Sequence, residues 1–244
     1  MGIIPVMEDL AGLLHKNLTG IQARIRAACT RAQRAPESVT LIGVTKYARL
    51  EWVSELIRLG CRDLAESRTP QLSERAESLS PDVHWHFIGP LQRNKVRRTI
   101  QYSHLIHSVD SERLLNTIDR VAAESDLRPR VLIEVNLSGE ANKKGFQKTE
   151  LQRIWPTLCQ NQYVQIEGLM TMAPHEEDPE AARPVFRELA ALRDVLQAVS
   201  PEQIRLQELS MGMSGDFEVG IEEGATLVRV GSALFEGLED LPLN

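Results

Sequence analysis

The sequence predicts a parallel (β/α)8 barrel, a TIM barrel, with an extra helix ahead of it, and three observations carry that expectation. Eight short segments rich in β-branched and apolar residues recur along the chain, and helical patterns fill most of the gaps between them. The chain has 244 residues, 42% of them hydrophobic, enough for one barrel-sized core. No GxGxxG follows the first strand and no Walker A string occurs, which removes the common phosphate fingerprints of the competing architecture, a doubly wound open sheet.

The first element is a helix over residues 10–28, because Leu10, Leu14, Leu18, Ile21, Ile25 and Ala28 advance by steps of four and three and line up as one stripe. Residues 36–38 break the pattern. The apolar run 39–45 then reads as a buried strand delivering Lys46 at its end. Further strands are expected at 61–65, 83–88, 104–108, 131–137, 164–169, 205–209 and 226–230. Helices are expected at 51–59, 70–79, 91–100, 111–125, 148–161 and 179–199, the last with Val185, Leu189, Leu192, Leu196 and Val199 on one side. No linker divides the chain, so residues 1–244 are read as a single domain.

Composition narrows the function classes. A net charge of -6 argues against a surface built to neutralise phosphates, and nucleic acid is not expected as a partner. The start MGIIPVMEDLAG lacks the basic end, apolar run and cleavage site of a signal peptide, and Met7 stands where a myristoylation motif wants Ser or Thr. No apolar stretch reaches the roughly 20 residues that span a bilayer. Cys29, Cys61 and Cys159 are odd in number, widely spaced and free of any CxxC pair, as suits reduced thiols. A cytoplasmic protein is expected, which makes the sequon Asn136-Leu137-Ser138 irrelevant.

In a barrel the functional groups gather where strands end at the C-terminal face. Lys46 there is either a solvated end-cap or a buried amine whose pKa is lowered until it can attack an aldehyde and form an imine. The loops after the last two strands, Ser210-Met211-Gly212-Met213-Ser214-Gly215-Asp216 and Arg229-Val230-Gly231-Ser232-Ala233, offer glycines, hydroxyls and helix-opening amides to an anion. Each alone also reads as an ordinary turn with a serine cap. Arg229 shares its face with Gly231 and points to the barrel mouth, either in an ion pair with Glu66 or Glu134 or hydrogen-bonded to a pyridine nitrogen, which it would keep unprotonated. His84 and His86 share a face of the third strand, but His104, His107 and His175 complete no ligand spacing, and no metal is expected. The basic cluster Asn94-Lys95-Val96-Arg97-Arg98 reads as a solvated face.

Thr45-Lys46, the string from Trp85 to Lys95 (WHFIGPLQRNK), His107-Ser108-Val109-Asp110-Ser111, Glu134-Val135-Asn136, Gly168-Leu169-Met170, Leu209-Ser210-Met211-Gly212-Met213-Ser214 and Val228-Arg229-Val230-Gly231 together resemble the pyridoxal phosphate homeostasis protein family, in order from about Leu41 to Phe235. The resemblance implies a fold like the barrel domain of bacterial alanine racemase, with pyridoxal 5′-phosphate (PLP) as cofactor. It implies Lys46 as the Schiff-base lysine, Arg229 at the pyridine nitrogen, and Ser214, Gly231 and Ser232 around the phosphate; Met213 and Ser67 are expected to bind the cofactor with them, and His86 reads as a structural or ring-contacting residue. Ala65-Glu66-Ser67 departs from the family's Gly-Glu-Asn, so Ser67 replaces an Asn beside the ring, and altered affinity is expected there. Asn142-Lys143-Lys144-Gly145 resembles the family's loop after strand five, whose lysines attract an anion or accept the cofactor transiently.

The implied role is a carrier that sequesters or delivers PLP, buffering a reactive aldehyde and so influencing amino-acid and keto-acid metabolism, with no catalytic residue. Transient contacts with PLP-dependent enzymes and a monomeric state are implied with it. The competing readings are a small PLP-dependent racemase or lyase, with Lys46 as base and His86 or Tyr47 as second group, and a cofactor-free Schiff-base aldolase.

Overall fold

The structure, a computed structural model, describes residues 3–138, 144–174 and 176–239. The long helix α1 (Ile3–Arg31) comes first, then β1 (Thr40–Val44), α2 (Leu50–Arg58), β2 (Asp63–Glu66), α3 (Thr69–Ser78), β3 (His84–Phe87), α4 (Val96–Tyr102), β4 (Leu105–Val109) and α5 (Glu112–Ser125). The second half runs through β5 (Arg130–Asn136), β6 (Phe146–Gln147), α6 (Lys148–Leu158), β7 (Gln165–Met170), α7 (Arg183–Ala198), β8 (Glu208–Ser210), α8 (Phe217–Glu222) and β9 (Leu227–Val230). Pairing runs β1-β2-β3-β4-β5-β7-β8-β9 and back to β1, all parallel, so eight strands close a barrel as expected. No described helix is long and apolar enough to cross a membrane.

Strand alternation sorts the apolar residues into two layers. Ile42, Ala65, Leu105, Leu132, Met170 and Leu227 form a small cluster inside the barrel, joined by Val44 and Ile88. Their neighbours of opposite parity, such as Val228, Val230, Ile133 and Leu209, pack outward under the helices. The stripe of α1 is buried as the spacing predicts, from Leu14 and Leu18 through Ile21 and Ile25 to Ala28.

Three of the boundaries that differ from expectation have a clear local reason. The first helix extends to Ile3 and Arg31; Pro5 falls in its first turn, where the missing N–H costs nothing. The segment expected as helix from residue 91 turns helical only at Val96, after a 3-10 turn at Arg93–Lys95, and Leu91 is buried from the preceding loop. The strand expected at 205–209 is reduced to Glu208–Ser210. The Gln197 side chain of α7 takes the Leu206 N–H (2.6 Å) and the Ile204 carbonyl (3.1 Å) instead of the sheet. β6, too short to show a period, pairs with Val135 and Asn136 outside the barrel ring.

Among the described residues the eighth barrel strand, β9, is followed only by a 3-10 turn, Ser232–Leu234, which cannot cover the adjoining strands. α1 fills that place, packing on α8, on this turn and on α2. Asn17 of α1 donates to the carbonyls of Leu234 (3.1 Å) and Glu236 (3.0 Å), tying the helix to the loop after β9.

Candidate functional site at the C-terminal mouth of the barrel

Lys46 stands two residues beyond β1. Ile42 and Val44 face the interior, so position 46 continues that parity toward the mouth. The side chain is half-buried rather than fully buried, with Nζ 5.0 Å from the Tyr47 ring centroid, so the expected desolvated amine is only partly realised. Its backbone is held more firmly than its side chain. Arg75 of α3 donates to the carbonyls of Thr45 (2.8 Å) and Ala48 (2.6 Å) and pairs with the buried Glu66, while Gln71 reaches the Lys46 carbonyl (3.2 Å). Thr45 Oγ1 also donates to Glu66. Burial raises the Glu66 carboxyl, against the opposing pull of Thr45 and Arg75.

Opposite, the loop between β8 and α8 folds back on the turn after β9. Ser214 Oγ accepts from the Gly231 N–H (3.2 Å) and the Ala233 N–H (3.5 Å). Gly212 makes this possible: its φ is +93°, and a Cβ there would come within 2.8 Å of the Phe217 Cα. Met213 N–H is held by Asp216 (2.5 Å). Met213, Ser214 and Gly231 are half-buried and Ser232 is exposed.

Arg229 is buried beneath this loop pair. Its guanidinium donates to Ser210 Oγ and to the Thr171 carbonyl (3.0 Å). Neither carboxylate weighed as a partner is bonded to it: Glu66 is taken by Arg75, and Glu134 acts on it only through space. Burial lowers its pKa to about 10, with Asp216 and Glu134 opposing, so it is cationic at neutral pH. Glu134, on β5, is buried near Asp110 after β4. Burial, and then the charge of Asp110, push its carboxyl up to about 7, while Arg229 and Lys144 pull the other way. Lys144 lies 3.6 Å from Asp110.

Ser67 is half-buried just past β2, its backbone crowded by Gly89 so closely that a Cβ there would overlap the Ser67 carbonyl. His86 points inward from β3 but lies deeper than the mouth: Nδ1 is 2.9 Å from His107 Nε2, and Nε2 is 3.2 Å from Asp63 Oδ1. Burial depresses both imidazoles. At the N-terminal end of the barrel His84 Nδ1 also meets Asp63 (3.2 Å), and His104, stacked on His84 at 4.5 Å, is bonded to Arg130. Burial and then Arg130 bring His104 down to about 4. Burial alone would raise the Asp63 carboxyl, but His86 and His84 hold it below its ordinary value. Among the described residues no three His, Cys, Asp or Glu side chains form a metal-binding group. His175, Asn142 and Lys143 lie outside the described residues.

The structure therefore brings Lys46, Ser67, Met213, Ser214, Gly231 and Ser232 to one mouth, with Arg229 below it and His86 lower still. Sequence reading missed Arg75, whose signal was a charged residue three positions after Leu72 on the buried face of α3. It also passed over the contact of His107 with Ser210 (2.8 Å), since nothing local joins residues so far apart.

Residues 17–239 match the family model for the alanine racemase N-terminal domain. The pyridoxal phosphate homeostasis protein of Aquifex aeolicus is 40% identical over 221 residues, covering 90% of this chain and 96% of that one. A solved structure of PipY from Synechococcus elongatus, with PLP bound, is 35% identical, with a TM-score of 0.80 over 91% of this chain and 99% of that one. Alanine racemase of Clostridium difficile shares the fold, with a TM-score of 0.70 and 19% identity over 91% of this chain and 56% of the racemase.

Proposed function

This chain belongs to the pyridoxal phosphate homeostasis protein family, and we propose that it binds PLP at the C-terminal mouth of its barrel and serves PLP homeostasis by holding and handing on the cofactor, without turning over a substrate. The observation that carries the reading is the convergence of three distant segments: the Lys46 turn, the Ser214 loop and the Arg229–Ser232 turn. Two backbone N–H groups already meet on one oxygen, Ser214 Oγ, and a phosphate oxygen is a stronger acceptor for the same donors. The mouth residues thus fit the group.

PLP supplies an aldehyde that condenses with a primary amine and a ring that withdraws electrons. Lys46 is the amine for that bond. Ser214, Gly231 and Ser232, with Met213 alongside, bind the phosphate, and Ser67 borders the ring. Arg229, a donor that stays protonated, would meet the ring nitrogen and keep it unprotonated, which would weaken electron withdrawal relative to an acidic partner. His86 supports from below, because both of its ring nitrogens are bonded inside the barrel. The same placement removes it as a proton-transfer group at the mouth, which favours a carrier over a racemase. We propose further that residues 1–244 act as one unit, monomeric and cytoplasmic, meeting PLP-dependent enzymes transiently.

The purified chain with PLP is expected to be yellow and to lose its visible band on borohydride treatment, with mass spectrometry locating a single pyridoxyl adduct on Lys46. Lys46→Ala should abolish that adduct. An adduct on some other lysine would sink the assignment, and a colourless protein that attacks sugar phosphates would be an aldolase. Sustained racemisation of single amino-acid enantiomers, lost in Lys46→Ala, would overturn the carrier reading.

A further inference from the structure

Below the mouth a polar chain crosses the barrel lumen. Arg229 donates to Ser210 Oγ; Ser210 Oγ lies 2.8 Å from His107 Nδ1, His107 Nε2 lies 2.9 Å from His86 Nδ1, and His86 Nε2 lies 3.2 Å from Asp63 Oδ1. Ser210, His107, His86 and Arg229 are all buried, while Asp63 is half-buried at the start of β2. The five residues come from β9, β8, β4, β3 and β2.

Proton counting gives the chain a direction. A guanidinium can only donate and a carboxylate can only accept, whereas a neutral imidazole does one of each. Starting from Asp63, His86 Nε2 must carry the hydrogen. Its Nδ1 then accepts, so His107 donates from Nε2 and accepts at Nδ1, and the Ser210 hydroxyl is the donor there. The Arg229 end is compatible with that direction: Ser210 Oγ accepts from the guanidinium and has its own hydrogen to give to His107. Reversing any single link would set two hydrogens or two lone pairs face to face. A second proton on either imidazole would make His107 Nδ1 a donor and turn the Ser210 link round, and burial pushes both rings away from that state. His84, His104 and Arg130 crowd the Asp63 end, and among the described residues no carboxylate bonds to Arg229 at the other.

We infer that Asp63, His86, His107 and Ser210 are positioning residues for Arg229: a one-way hydrogen-bond chain, with both imidazoles in the Nε2–H tautomer, that fixes the guanidinium from the far end of the barrel without a directly bonded counter-charge. Its consequence for PLP rests on the function proposed above; the chain itself does not. Nitrogen NMR of imidazole-labelled, cofactor-free protein at neutral pH, assigned with His86→Gln and His107→Gln, should show both rings as neutral Nε2–H tautomers. Either ring as Nδ1–H or doubly protonated overturns the inference. With PLP added, Asp63→Leu and Ser210→Ala should shift the visible band and weaken binding about 5- to 20-fold, and Asp63→Asn and Ser210→Thr, which keep an acceptor oxygen and a hydroxyl, should restore both. A shift from Asp63, at the end opposite Lys46, is not what mere packing would give. Folded Asp63→Leu and Ser210→Ala with unchanged band and affinity overturn the positioning role. Expected tautomers in a wild-type chain that takes up no PLP support the hydrogen-bond chain and overturn the function proposed above instead.

Discussion

A carboxyl group buried without a directly bonded cation resists ionisation, and Glu134 is in that position beside Asp110. Its folded-state pKa of about 7 stands above the ordinary 4.5, so the native state retains a proton that the unfolded chain has released. The stability tied to that proton is complete below pH 4.5 and is lost as pH rises through about 7. Glu134→Gln mimics the protonated form and should therefore be neutral at pH 4 and more stable than wild type at pH 8, by on the order of 2 to 3 kcal/mol. Denaturant titrations of both proteins across that range check it; a difference that ignores pH would show that Glu134 ionises freely. Ser67→Asn, which restores the family's residue, should alter PLP affinity by a few-fold and leave the Lys46 adduct in place. At this scale the sequence revealed where Lys46, Arg229 and Ser214 stand, because each place follows from the strand it ends or follows. Glu134 was visible only as a possible ion-pair partner, because its environment is made by β4 and the loop after it.

The elements do work that single residues do not announce. α3 sends Arg75 and Gln71 to the carbonyls of Thr45, Lys46 and Ala48, so the backbone on both sides of the lysine is fixed while its side chain stays half-buried. A fixed backbone carrying a half-buried amine suits a group that must bond a ligand and release it. Removing one member of a buried pair leaves the other charge uncompensated, and Arg75→Met should cost about 3 to 5 kcal/mol through the stranded Glu66. Glu66 is already the more exposed to that loss, since its Oε2 has no hydrogen-bond partner among the described residues. Gln71→Leu keeps the pair and removes only one carbonyl contact, so it should melt near wild type yet give a lower fraction of reducible adduct at Lys46. Equal adduct fractions in wild type and Gln71→Leu would show that the turn holds its shape without α3. None of this clamp was legible beforehand: the period of α3 predicted its helix, but a period cannot say which carbonyls a buried arginine will find thirty residues upstream.

The whole molecule is a ring that its last strand leaves open on the outside, and α1 closes it. Alternation of apolar strands and helices revealed the barrel, and the four-and-three stripe revealed that α1 is buried on one side. The stripe alone could not say against what, because the seam between β9 and β1 exists only once the two ends of the chain meet. Two substitutions on this helix separate its global and local duties. Leu14, fully buried, serves the core, and Leu14→Ala should cost about 2 to 5 kcal/mol while the folded fraction binds PLP as before. Asn17 holds the Leu234 and Glu236 carbonyls just beyond the Gly231–Ser232 turn proposed to hold the phosphate, so Asn17→Leu should forfeit about 1 kcal/mol per hydrogen bond from that turn and barely move the melting point of the barrel. The loss should appear as weaker PLP binding, about 5- to 10-fold, read by titration of the visible band. If Asn17→Leu lowers stability and leaves affinity untouched, α1 is a cover for the seam and has no part in shaping the turn after β9.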